Sequence, residues 1–282
     1  MLKLNNVEKH YKVFDLCCSM EVRQGCVTGL VGKNGAGKST VFKAVLGLIH
    51  MDGGQIEILG KQPQKLTEKD RETMGVVLAD SGFSGYLKVR DLIPILENMY
   101  NCFDRDNFIA LCKEFSIPLD KMIKEFSTGM KRKLQILTAI SHDAKFLILD
   151  EPTAGLDVTA REEILNLLRG YMEKNGRAVL ISSHISSDLE GFCDDIYMIQ
   201  DGKIILHEDT DVLLDEYALL KVTDEQYEKL DKDYILYRKK EEFGYCLLTD
   251  KKAFYQENYP EFVIEKGSID EVISMISRGE RK

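Results

Sequence analysis

Four short stretches carry residue types at spacings that could do chemistry. GKNGAGKS at 32–39 is a G-x-x-x-x-G-K-S phosphate loop between an apolar run, CVTGLV, and a helix-patterned run, TVFKAVLGLI. Gly32, Gly35 and Gly37 let the backbone curl until its N–H groups face phosphate oxygens. Lys38 is a point charge for the β- and γ-phosphates, and the Ser39 hydroxyl can ligate Mg2+. With Lys33, Asn34, Ala36 and Thr40 completing the loop, the expected ligands are a nucleoside triphosphate and Mg2+. In KFLILDEPTAGLD a buried-strand pattern ends in Asp150 and Glu151. Carboxylates at the carboxyl end of a parallel strand sit where open α/β sheets bind ligands. Asp150 there would hold the metal, and Glu151 would polarise an attacking water as general base.

His184 closes the next such strand, AVLISS, and reads in two ways. It is an ordinary surface or core histidine, or it reaches a γ-phosphate and orients Glu151 and the water. The fourth stretch is EFSTGMKRK, 125–133. Ser127 stands as a helix N-cap, small residues follow, then three bases and an apolar stripe of Met130, Leu134 and Leu137. A helix start that gathers positive potential suits an anion. Taken alone, Lys131-Arg132-Lys133 is a solvated helix face.

The elements that must position these residues follow from periodicity. DLCCSMEV alternates Leu16, Cys18, Met20 and Val22 on one face, and a turn at Gln24-Gly25 leads into the buried CVTGLVG. QIEILG and MGVVLA are further strands, and the pattern is helical from about Val89 to Ser141. FLILD and AVLISS, joined by the amphipathic AREEILNLLRGYMEK, form a βαβ unit. IYMIQDGKIIL is a hairpin turning at Asp201-Gly202. After about residue 215 the runs read β-α-β-β-α-β, as in a ferredoxin-like split βαβ unit, or alternatively as a loosely ordered extension. A closing helix begins at Ser268 with Glu271 as its capping-box partner.

Composition bounds the rest. The 282 residues carry a formal net charge of -9, which argues against a general nucleic-acid binder. Seven cysteines without a C-x-x-C pair fit reduced thiols of the cytosol. The polar start, MLKLNNVEKHYKVF, is no secretory signal, and no run approaches the length of a spanning helix.

Over roughly residues 1 to 210 these motifs, in this order, resemble the ATP-binding subunits of ATP-binding-cassette (ABC) transporters of the small bacterial exporter type. GKNGAGKS is similar to the Walker A loop, FLILDE to Walker B, AGLD at 154–157 to the D-loop, His184 to the switch histidine, and STGMKRK to the signature loop. The resemblance implies an α/β P-loop NTPase cassette over 1–215, with a mixed sheet core, a helical subdomain at about 86–145 and an antiparallel β subdomain. A small C-terminal α+β domain over 216–282 follows. It implies a Mg-dependent ATPase whose catalytic groups are Glu151, His184 and Lys38, with Ser39 and Asp150 at the metal. It puts Tyr11 against adenine, where a lone tyrosine could equally be core. It implies a homodimer closed by ATP, in which Ser127, Gly129 and Met130 of one copy meet the γ-phosphate held by the other. Separate transmembrane permease subunits would hold the chain at the cytoplasmic face of the membrane. The alternative is a soluble ATP-switched ABC protein outside transport. Such members carry a coiled-coil insertion, a second cassette or basic extensions, none of which is visible here. One position departs from the pattern. Ala79 falls where the family has a glutamine that contacts the metal, and Asp80 substitutes for it if the loop is shifted by one residue.

Overall fold

The computed structural model describes residues 1–185 and 187–281; residue 282, which ends the expected C-terminal domain, lies outside them. The chain opens with the strands β1 (Leu2–Tyr11), β2 (Phe14–Val22) and β3 (Val27–Val31), then the helix α1 (Lys38–Val45) and β4 (Gly53–Ile58). The short α2 (Glu68–Glu72) precedes β5 (Met74–Val77), and three helices follow: α3 (Val89–Met99), α4 (Arg105–Glu114) and α5 (Thr128–Ile140). β6 (Phe146–Asp150), α6 (Val158–Met172) and β7 (Ala178–Ser183) form the βαβ unit. α7 (Ser187–Glu190), β8 (Asp195–Gln200), β9 (Lys203–Asp209) and α8 (Thr210–Asp215) complete the first part.

Nine strands make one mixed sheet in the order β4-β1-β2-β9-β8-β3-β7-β6-β5. Its central strands β3, β6 and β7 are buried along their whole length, as their unbroken apolar runs require. Their side chains alternate between two cores. Phe146, Ile148, Ala178 and Leu180 pack with Val41, Phe42 and Val45 of α1. Leu147, Leu149, Val179 and Ile181 pack with Leu92, Phe108, Leu134 and Ile164 of the helical side. Parallel register sets Val31 beside Ser183 and Asp150 beside Ser182. The three loops that leave these strands therefore emerge side by side.

α1 is shorter than the TVFKAVLGLI pattern suggests. Gly47 turns left-handed (φ 68°) and the Leu48 N–H returns to the Lys43 carbonyl, ending the helix at Val45. The hairpin of β8 and β9 turns at Asp201 and Gly202, both with positive φ. Gly75 is where α5 meets the sheet: a β-carbon there would stand 2.4 Å from the Ala139 carbonyl oxygen and from Leu147 Cδ2. Gly75→Ala is expected to lower stability by about 1–3 kcal/mol, the usual cost of forcing atoms into a packed contact. A fall in the urea midpoint at constant slope would register it.

Beyond residue 216 the chain forms β10 (Ala218–Val222), α9 (Asp224–Lys229), β11 (Ile235–Glu241), β12 (Gly244–Thr249), α10 (Lys252–Asn258), β13 (Val263–Lys266), α11 (Ile269–Arg278) and β14 (Glu280–Arg281). The strands pair antiparallel in the order β13-β10-β12-β11-β14. One face has its own core of Leu220, Val222, Tyr227, Leu247 and Tyr255. The other face, through Leu219, Cys246 and Leu248, joins the helical-side core of the larger sheet. Ile269, Val272, Met275 and Ile276 of α11 lie in that same core. α11 begins with the Ser268–Glu271 capping box, and its Ile269 N–H donates to Glu190 Oε1 of α7 (2.8 Å).

Candidate functional site

The carboxyl ends of β3, β6 and β7 meet at one edge of the sheet. Gly32 opens the phosphate loop there because nothing larger fits: a β-carbon would stand 2.4 Å from the Ile199 carbonyl oxygen. Gly37, with φ 116°, turns the loop into α1 and lies against Phe14. Tyr11 is paired with Phe14 across the β1–β2 hairpin and is 44% exposed, so it is no core residue. Its ring lies 6.3 Å from that of Phe14, with the Lys9 ammonium 5.7 Å from its centre.

Lys38, 6% exposed, folds its ammonium into the loop. It donates to the carbonyls of Gly32 (2.6 Å) and Lys33 (3.4 Å) and lies 3.2 Å from Glu151 Oε1. Lys33, Asn34, Gly35 and Ser39 are exposed, Thr40 is half-buried, and Ala36 is buried beneath the loop. The cation and the open backbone thus face a common space.

Glu151 adopts φ 52°, a left-handed conformation that costs a residue with a β-carbon about 1–2 kcal/mol. Two contacts hold it there. The Ser182 hydroxyl donates to Asp150 Oδ1 (2.6 Å) and accepts the Glu151 N–H (2.9 Å). On the other side, Glu151 Oε2 is 2.6 Å from His184 Nδ1 and accepts the His184 N–H at 3.3 Å. Oε1 is buried and takes no hydrogen bond, the ammonium of Lys38 being near but misaligned. A buried carboxylate oxygen without a donor is costly unless something is meant to meet it. A water or the metal's water shell would do so. The donors present, the Ser39 hydroxyl and the Asp150 carboxylate, are hard oxygens of the kind Mg2+ prefers; phosphate oxygens of the nucleotide would add to them. The site therefore fits Mg2+ with a triphosphate.

The loop beyond Glu151 is also anchored. Thr153 donates its hydroxyl to Asp188 Oδ2 (2.7 Å), and Arg161 lies 3.2 Å from Asp188 Oδ1. Ser127 caps α5 by accepting the Met130 N–H (3.2 Å). Ser127, Gly129 and Met130 line an open cleft with Gly155, Leu156 and Asp157, and none of the phosphate-loop residues lines it. Glu151, His184, Lys38 and the loop are brought together in one chain; Ser127, Gly129 and Met130 are held apart from them.

The three bases of α5 do not form a solvated face. Only Lys131 is exposed. Lys133 pairs with Glu163 of α6. Arg132 is half-buried and points its guanidinium at the Leu78 and Ala79 carbonyls. The helix packs on β5 and α6 on that side, and long side chains there find carbonyls and acids before they find water. Two further participants carry little sequence signal. Ser182 is an ordinary strand serine until the register sets it against Asp150. α11 lines a cleft of about 310 Å³ whose opposite wall is Gly32, Lys33, Asn34 and His184.

A family profile described as ABC transporter matches residues 17–154. The lantibiotic transport ATP-binding protein SrtF of Streptococcus pyogenes is 33% identical over 214 residues, 75% of this chain and 92% of that protein. The bacitracin transport ATP-binding protein BcrA of Bacillus licheniformis is 32% identical over 189 residues, 66% of this chain and 62% of that one. Among solved structures, an ATP-binding subunit of an ABC transporter superposes with a TM-score of 0.68 at 25% identity, covering 76% of this chain and 91% of that one.

Proposed function

Because the chain belongs to the ATP-binding subunits of ABC transporters, we propose that it hydrolyses ATP as a dimer with composite sites and drives separate permease subunits of an export system. The names of SrtF and BcrA, both transport ATP-binding proteins, support the transport role. No helix among the described residues is long and apolar enough to cross a membrane.

The observation that carries the composite site is the separation of its halves. Lys38, Glu151 and His184 converge on one space, while Ser127 with its helix start opens into a different cleft. A helix N-terminus of that kind attracts a phosphate, and a second copy can bring one to it. In this scheme Lys38 and the loop amides of 32–40 hold the β- and γ-phosphates. The ring of Tyr11 covers the base. Glu151 Oε1 receives the proton of the attacking water, and His184, bonded to Oε2, fixes the orientation of that carboxylate. Ser39 and Asp150 would hold Mg2+, which when bound neutralises charge between the phosphates. Residues 1–215 form the cassette and 216–282 an accessory α+β domain that adjoins the site through α11.

Two measurements test the composite site. Specific ATPase activity should rise with protein concentration through the range where monomers associate. Ser127→Arg should lower hydrolysis about 100-fold, the scale for losing a donor to the transferred group. It should leave the ATP affinity of the dilute monomer unchanged. Activity per chain that stays constant down to a demonstrably monomeric dilution would overturn the composite site.

A further inference from the structure

On the premise that the chain is an ATPase, we propose that Glu190 is a positioning residue for hydrolysis. By holding the N-terminus of α11 it makes the accessory domain a support of the segment that carries His184.

α7 (Ser187–Glu190) begins three residues after His184 and has only four residues. A helix of one turn has no stability of its own, so its place is set by what its side chains grip. Asp188, 4% exposed, accepts the Thr153 hydroxyl (2.7 Å) and pairs with Arg161 (3.2 Å). Those contacts fix α7 to the loop two residues beyond Glu151. Leu189 is fully buried over β3, where a β-carbon on Gly29 would stand 3.2 Å from its Cδ1. Glu190 reaches across the boundary at residue 215. Its Oε1 accepts the Ile269 N–H (2.8 Å), the first N–H of α11.

The first four N–H groups of a helix have no partner within it. In α11 the Ser268 hydroxyl takes the Glu271 N–H, and Glu190 takes that of Ile269. A carboxylate there also meets the positive end of the helix dipole. Ile269 is buried, which shields this charge-assisted bond from water. α11 is itself firmly seated, since Ile269, Val272, Met275 and Ile276 lie in the core that Leu189 shares. Its neighbouring face, through Asp270, Ile273, Ser274 and Ser277, lines the cleft of about 310 Å³ opposite Lys33, Asn34 and His184. The accessory domain thus stands beside His184 and grips the helix that follows it.

His184 Nδ1 is 2.6 Å from Glu151 Oε2, so a shift of α7 disturbs the contact that orients the carboxylate. A misplacement of about 1 Å at such a contact costs about 100-fold in rate. Nucleotide affinity has a different basis, in the loop amides and in Lys38, which the Gly32 and Lys33 carbonyls hold. A movement of the accessory domain is thereby converted into a change of hydrolysis rate and not of affinity.

The test compares two substitutions in the full chain. Glu190→Ala removes the acceptor, whereas Glu190→Gln keeps an oxygen for the Ile269 N–H. We expect Glu190→Ala to lower kcat about 10-fold, with KM and calorimetric ATP affinity held within about twofold, and Glu190→Gln to keep kcat within about threefold of the native chain. Tm should fall by less than about 4 °C in either variant. A role exercised through His184 also predicts non-additivity: in a His184→Ala background, Glu190→Ala should cost less than about a further twofold in kcat. A merely structural bond would lower Tm in both backgrounds and leave the cycle additive. An unchanged kcat in Glu190→Ala, a Gln variant as slow as the Ala variant, a loss of ATP affinity in step with kcat, or the full loss repeated on top of His184→Ala would overturn the proposal. Full turnover by His184→Ala alone would instead overturn the role given to His184, and a native chain without turnover would overturn the ATPase premise; both are separate failures.

Discussion

Glu151→Gln is expected to bind ATP at least as tightly as the native chain, to hydrolyse it about 10²- to 10⁴-fold more slowly, and to elute as a dimer when ATP is present. The rate range is that of a lost general base. The geometry argues for a clean separation of effects. The substituted side chain has the same size, and its amide can still meet His184 where Oε2 does now. The backbone at φ 52° is held by Ser182 and the His184 contact as much as by the charge. What disappears is the basic oxygen Oε1, which takes no hydrogen bond and is the one placed to accept a proton. Removing a carboxylate from beside a triphosphate also removes like-charge repulsion, so binding does not suffer. ATPase rate, calorimetric affinity and gel filtration with and without ATP check the three parts. A monomer with ATP bound would contradict the closed dimer, and a full rate would contradict the base.

Lys38→Ala is expected to act in the opposite order, with ATP affinity falling first, by about 100-fold or more, and hydrolysis and dimer falling with it. The Lys38 side chain is 6% exposed, and its ammonium donates to the Gly32 and Lys33 carbonyls next to Glu151 Oε1. In the alanine variant the carboxylate faces the loop without its counter-charge. An arriving γ-phosphate then meets a bare negative group instead of a cation. Truncating one member of a desolvated charge pair typically costs about 3–5 kcal/mol, much of it from the charge left behind. Titration calorimetry with ATP reads the loss directly. The double variant Lys38→Ala with Glu151→Gln should regain part of the affinity, because the stranded carboxylate is then neutral.

The phosphate loop, the Asp150-Glu151 pair and the hairpin at Asp201-Gly202 were legible because each is local. Glycine spacing, a strand ending in acids and a two-residue turn need no distant partner to be recognised. Leu16, Cys18, Met20 and Val22 all face inward as their alternation requires. The environment of His184 was ambiguous from sequence, since only the β6–β7 register brings it to Glu151. Ser182 was invisible for the same reason. Arg132 was misjudged because a run of three bases says nothing about which of them the helix turns toward the sheet. Tertiary packing at β5 decided that, with Gly75 allowing α5 close enough for Arg132 to reach the loop.

The continuity of the helical-side core across residue 215 means that the last quarter of this polypeptide is no detachable appendage. Leu219, Leu248, Val272 and Ile276 are to the cassette what a keystone is to the stones it touches. A cut between α8 and β10 would strip the cassette of a wall and leave a greasy wound in both pieces. Such a cut should therefore lower the stability of what remains on both sides of residue 215, because each side loses apolar partners supplied by the other.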